Sequence, residues 1–134
     1  PSMANLLASR LRSHASYSSL QRIIETDQAL NINPNIRLYR YLPGMRFGPH
    51  YDESNQTSNG LTTRWTILIY LNEVEEGGET NFFLDHHNSS GDKVSIKPTE
   101  GTVLFHLHGE NCMLHEGAEV TAGIKYLFRT DLCY

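Results

Sequence analysis

The chain has 134 residues, a formal net charge of −4, 39% hydrophobic and 19% charged residues. That length supports one domain rather than two, and the low charge content argues against a disordered chain. The acidic balance, with no Lys/Arg run anywhere, excludes a general nucleic-acid binder, and no apolar run approaches the roughly 18 residues of a membrane span.

The first 34 residues read as helical. Ser2 can cap a short helix carrying Leu6, Leu7 and Leu11. A second helix begins near Ser18, with Leu20, Ile23 and Ile24 as its apolar stripe, and Asn33-Pro34 ends it. From Asn35 onward short β-branched and aromatic runs alternate with turn signals such as Pro43-Gly44, Asn59-Gly60, Gly77-Gly78 and Ser90-Gly91. Strands are expected at about 36–42, 45–51, 64–72, 80–84, 93–97, 101–106, 112–116 and 119–131.

Two helices followed by short strands, with no βαβ alternation, point to a mainly β chain of α+β class. A closed two-sheet jelly roll is its natural solution. The expected organisation is one domain over 1–134, with helices in 1–34 supporting a β core over 35–134. The N-terminus carries no leader-type segment, which points to cytoplasm or nucleus. Cys112 and Cys133 form no metal-type or redox motif, and nothing requires them to pair.

The chemistry lies in Phe47-Gly48-Pro49-His50-Tyr51-Asp52. Residues i and i+2 of a strand share a face, so His50 and Asp52 present an imidazole and a carboxylate side by side. A second histidine from another strand completes a face of three ligands and leaves three open positions on an octahedral iron(II). The candidates are His14, His86, His87, His106, His108 and His115. His14 falls in a helix, and His86 and His87 in a turn. His106 and His108 are closer rivals, in or just after a strand. His115 is favoured because Lys125 follows ten residues later on an alternating run, with Gly117 and Gly123 between them. Zinc can also occupy such a set, and spacing alone does not separate the two metals.

Four blocks in order resemble the catalytic domain of prolyl 4-hydroxylases and related 2-oxoglutarate/iron(II) oxygenases. They are Tyr39-Arg40-Tyr41-Leu42-Pro43-Gly44 leading to Pro49-His50-Tyr51-Asp52; Thr66-Ile67-Leu68-Ile69-Tyr70-Leu71-Asn72; Glu75-Glu76-Gly77-Gly78-Glu79-Thr80-Asn81-Phe82; and Leu114-His115-Glu116-Gly117 with Lys125. The resemblance runs from about Ile36 to Tyr134. It implies a double-stranded β-helix core and Fe(II) held by His50, Asp52 and His115. It also implies 2-oxoglutarate anchored by Lys125, with Tyr41 and Tyr70 as further cosubstrate contacts and Thr66 lining the pocket.

The implied reaction uses O2, with ascorbate in support. It hydroxylates a substrate C–H bond, first of all that of a prolyl residue in a peptide or protein, and releases succinate and CO2. An oxygenase of a small molecule or another side chain is the alternative, and a catalytically inactive interaction domain is a third reading. The arginine that binds substrate in the family's collagen-type enzymes has Arg64 as its neighbour here. Arg64 is displaced by one residue, which turns a strand side chain to the other face.

Overall fold

The structure, a computed structural model, describes residues 2–14, 17–24, 31–85 and 87–134. Helix α1 spans Met3–Ser13, and the Ser2 hydroxyl accepts the Asn5 N–H at 3.3 Å to cap it. Its inward face is small: Ala4 and Ala8 are buried, Leu7 and Leu11 are partly so, and Leu6 points outward. Helix α2 spans Tyr17–Ile24, and its Leu20 joins the same cluster. The expected run from Ile24 towards Asn33 falls largely on residues 25–30, outside the described residues. Its end is corrected: Asn31–Ile32 is strand β1, fixed by pairing with Cys133 and Leu132 at the far end of the chain. No local signal could reveal that partner.

The remaining strands are β2 (Arg37–Tyr41), β3 (Phe47–His50), β4 (Thr63–Tyr70), β5 (Glu76–Gly77), β6 (Thr80–Phe83), β7 (Lys93–Ile96), β8 (Val103–Leu107), β9 (His115–Gly117), β10 (Val120–Ala122) and β11 (Lys125–Cys133). The first sheet runs β1-β11-β4-β8, with β2 also on β11, and the second runs β3-β9-β6-β7. β10 and β5 form a separate two-stranded ladder, and all these pairings are antiparallel. The chain is therefore mainly β with N-terminal helices, as expected.

Strand β4 is covered on both faces, which explains its near-continuous apolar sequence. Ile67 is fully buried against Ala4, Ala8, Ile32 and Leu132, with Trp65 and Ile69 beside it. Burying such a side chain contributes roughly 1.5–3 kcal/mol. The alternate residues Thr66, Leu68 and Tyr70 face the other way. Leu68 and Tyr70 pack with Leu127, Tyr41, Leu104 and Ile96, the last from the second sheet. The core between the sheets is thus built by every second residue of β4 and β11.

Two strand expectations need correction. The run 119–131 is broken at Gly123, which has φ +80°, and a Cβ there would lie 3.1 Å from the Glu75 Cβ. The break lets β10 pair with β5 while β11 enters the first sheet. In 112–116 pairing starts only at His115, after a 3₁₀ turn at Gly109–Asn111. Cys112 and Cys133 are buried free thiols. No described helix is long and apolar enough to cross a membrane.

Candidate metal centre

His50 and His115 are direct partners across β3 and β9, which places their ring centroids 4.2 Å apart. Asp52 lies two residues beyond His50, just past the end of β3. The 3₁₀ turn clamps its backbone: its N–H donates to Cys112 Sγ at 3.2 Å and its carbonyl accepts the Gly109 N–H at 2.9 Å. One donor atom each from His50, Asp52 and His115 fall within 4.8 Å of one another.

The protonation pattern suits a cation. His50 Nδ1 lies 2.8 Å from Gly48 O, and His115 Nδ1 lies 2.9 Å from Met113 O. A carbonyl only accepts, so each Nδ1 carries a hydrogen, which leaves Nε2 as the ring atom that can face a metal. Those Nε2 atoms stand 3.6 Å from Asp52 Oδ1 and 3.8 Å from Oδ2. Burial pushes His115 below its ordinary value, outweighing the raising effect of its Met113 hydrogen bond, so it stays neutral. On Asp52, burial works to raise the pKa. The Thr66 hydrogen bond, the Arg129 guanidinium and the two nearby imidazoles overcome it and hold the group at about 2. Thr66 Oγ1 donates to Oδ2 at 2.6 Å, and Arg129 Nη2 reaches the same oxygen at 2.9 Å. Oδ1 is left facing His50. Two imidazoles and an ionised carboxylate, each oriented from behind, fit a divalent metal.

The same cavity is lined by Tyr41, Thr66, Thr80, His106, Lys125 and Arg129. Lys125 begins β11 and pairs with Tyr41 on β2. It is 3% exposed, its Nζ donates to Gly78 O at 2.6 Å, and it lies 5.6 Å from the ring centroids of both Tyr41 and Tyr70. Burial lowers its pKa to about 8, against the opposing pull of Glu79. Tyr41 opens on the cavity, and burial chiefly pushes its phenol upward. Tyr70 is fully buried behind the wall, with its hydroxyl 2.6 Å from Thr80 Oγ1. Thr66 lines the cavity but spends its hydrogen on Asp52.

Among the other histidines, His14 caps the end of α1, His87 is exposed, and His86 lies outside the described residues. His106 and His108 are buried beside Asp52. Arg64 is exposed, its guanidinium 5.3 Å above the Tyr134 ring and away from the cavity.

Sequence reasoning missed the polar wall behind Asp52. Asp131, Thr66 and His106 face one another across β11, β4 and β8. His108 Nε2 donates to Thr66 Oγ1 at 2.8 Å and lies 3.8 Å from Asp131 Oδ1. The signal for Arg129 was present: on an alternating strand it shares a face with Lys125.

Two imidazoles and a carboxylate facing a cavity that also holds a buried ammonium, between antiparallel sheets, make a candidate mononuclear metal centre of the two-histidine, one-carboxylate class. The chain belongs to the 2OG-Fe(II) oxygenase superfamily, whose family model matches residues 36–130. With membership come the family's iron(II), 2-oxoglutarate and dioxygen. The chain is 37% identical over 106 residues to prolyl 4-hydroxylase 1 of Arabidopsis thaliana, covering 68% of this chain and 38% of that protein. It thus spans about two-fifths of that relative's length.

Its fold matches the 2-oxoglutarate complex of the viral collagen prolyl hydroxylase of Paramecium Bursaria Chlorella virus-1. The TM-score is 0.60 at 24% identity, over 90% of this chain and 73% of the viral one. It also matches the Trichoplax adhaerens prolyl hydroxylase bound to a hypoxia inducible factor peptide, with TM-score 0.58 at 19% identity, over 87% of this chain and 53% of the other.

Proposed function

We propose that this chain is the catalytic unit of an iron(II)- and 2-oxoglutarate-dependent dioxygenase that hydroxylates a prolyl residue in a peptide or protein. On this reading its two sheets are the halves of a double-stranded β-helix, and the helices before residue 35 brace that core as part of one domain. His50, Asp52 and His115 hold the metal. Lys125 pairs with the far carboxylate of 2-oxoglutarate, with Tyr41 packed beside it and Tyr70 and Thr80 supporting the wall. The observation that carries the reading is one cavity shared by the three metal-facing side chains and a lysine ammonium that is 3% exposed.

When bound, the iron couples decarboxylation of 2-oxoglutarate, to succinate and CO2, with insertion of one oxygen atom into a substrate C–H bond. The chain's own residues orient and enclose. Gly48 and Met113 carbonyls fix the imidazoles, Thr66 and Arg129 fix the carboxylate, and Leu68 and Leu127 give the cavity an apolar wall. A charged amine buried beside two aromatic rings costs free energy alone, and a carboxylate offsets that cost.

A second reading, oxygenation of a polar small molecule or another side chain, is favoured by the groove on the other side of Asp52. Arg37, Glu53, Asn55, His108, Arg129 and Asp131 line it, with no Phe, Tyr or Trp. The test for both is succinate formation with Fe(II), ascorbate and 2-oxoglutarate, with and without a proline-rich peptide. Peptide-stimulated succinate with a mass gain of one oxygen on proline is expected. Uncoupled succinate that no proline peptide stimulates contradicts the prolyl substrate, and no succinate with no bound metal contradicts the enzyme.

A further inference from the structure

A chain of buried hydrogen bonds ends on Asp52 Oδ2, and chemistry allows each link only one direction. The ionised carboxylate can only accept, so the Thr66 hydroxyl gives it its single hydrogen at 2.6 Å. Thr66 Oγ1 also lies 2.8 Å from His108 Nε2, and with its hydrogen spent it can only accept there. His108 Nε2 therefore carries a hydrogen. Asp131 Oδ1, 3.8 Å from that nitrogen, favours the same placement. Burial pushes the imidazole below its ordinary value, outweighing the Asp131 and Asp52 carboxylates, so the ring is neutral and Nδ1 is left to accept. Thr63 Oγ1 stands 3.2 Å from that Nδ1 and already takes the Asn55 N–H at 2.9 Å, which leaves its own hydrogen for the ring. Thr63, Thr66 and His108 are all buried, and the His108 backbone N–H is tied to the Arg64 carbonyl at 2.9 Å beside β4. Arg129 Nη2 also reaches Thr66 Oγ1, but only at 3.5 Å.

We infer that His108 is a positioning residue for the metal centre: as the Nε2–H tautomer it holds the Thr66 hydroxyl on Asp52 Oδ2 and leaves Oδ1 to the metal. The inference rests on the metal centre proposed above. The opposite tautomer reverses the chain. Nε2 then takes the Thr66 hydrogen, Oδ2 loses its shortest hydrogen bond, and the buried Thr63 hydrogen has no ring nitrogen to receive it. With Oδ2 less tied, both carboxylate oxygens become open to a metal, and the second fills a position that a set of three ligand atoms leaves vacant.

Long-range proton–nitrogen NMR on histidine-labelled, metal-free protein reads the tautomer directly, with His108 assigned by the signals lost in His108→Gln. The hydrogen is expected on Nε2. A hydrogen on Nδ1, or on both nitrogens, overturns the inference whatever metal binds. Mn(II) titration tests the consequence. His108→Phe, which keeps a ring but no donor, should bind Mn(II) about tenfold more weakly, as on loss of a partner behind a ligand. His108→Gln, whose amide can donate to Thr66, should bind as the wild type does. In a Thr66→Val background His108→Phe should have no further effect, because the link it breaks is already gone. Wild-type affinity in His108→Phe, equal losses in the Phe and Gln variants, or a full second loss in the Thr66→Val background makes His108 a packing residue and overturns its positioning role. Mn(II) binding that survives His115→Ala undiminished overturns the metal centre itself, and the inference with it, whatever the tautomer.

Discussion

Asp52 is held by two donors on one oxygen, Thr66 at 2.6 Å and Arg129 at 2.9 Å, while its backbone is tied to Cys112 and Gly109. Partners behind a ligand typically change metal affinity about 10–100-fold. Arg129→Met should therefore weaken Fe(II) or Mn(II) binding by about that factor in a competition titration, and wild-type affinity would refute the role given to Arg129. Lys125 makes a second prediction. Its amine is displaced to about 8, so the free protein loses the ammonium as pH rises through that value. Affinity for 2-oxoglutarate, measured calorimetrically on Mn(II)-loaded protein, should hold up to pH 8 and fall above it. Lys125→Ala should lose roughly 3–5 kcal/mol of cosubstrate binding and that pH dependence. An affinity constant to pH 9.5 in the wild type would count against an ammonium anchor.

At the scale of elements, the strands that carry the site were legible because alternation survives in β4 and β11. One reads Thr66, Leu68, Tyr70 inward, and the other Lys125, Leu127, Arg129. What stayed hidden were pairings between distant residues, such as β1 with the end of β11, and breaks imposed by contacts rather than composition. Gly77 and Gly60 separate these causes. Both have positive φ, +77° and +82°. A Cβ at Gly77 would run into the Glu119 carbonyl, whereas one at Gly60 meets nothing within 4 Å. Gly60→Ala should cost about 1 kcal/mol, the strain of that backbone alone. Gly77→Ala should cost more than about 2 kcal/mol, because β5 and β10 must part. Urea denaturation giving equal losses would show that the clash at Gly77 is relieved cheaply.

For the whole molecule, the shared cavity of His50, Asp52, His115 and Lys125 was partly readable, because β-strand parity ties His50 to Asp52 and the alternation of β11 points Lys125 inward. The wall of Arg129, His106, His108 and Asp131 was not, since its members meet only through cross-strand register. The buried amine also leaves a global signature. Between pH 8 and 10.5 the unfolded chain keeps the Lys125 proton that the folded chain has lost, so without cosubstrate stability rises with pH across that window. The urea midpoint of the wild type should climb there relative to Lys125→Met, and a flat or falling difference would contradict the burial of the charge.

The most direct test of the metal centre is an anaerobic titration with Fe(II). One ion per chain should bind the wild type and His87→Ala alike, with affinity at least a hundredfold lower in each of His50→Ala, Asp52→Ala and His115→Ala. Wild-type binding in any one of those three variants would contradict the assignment.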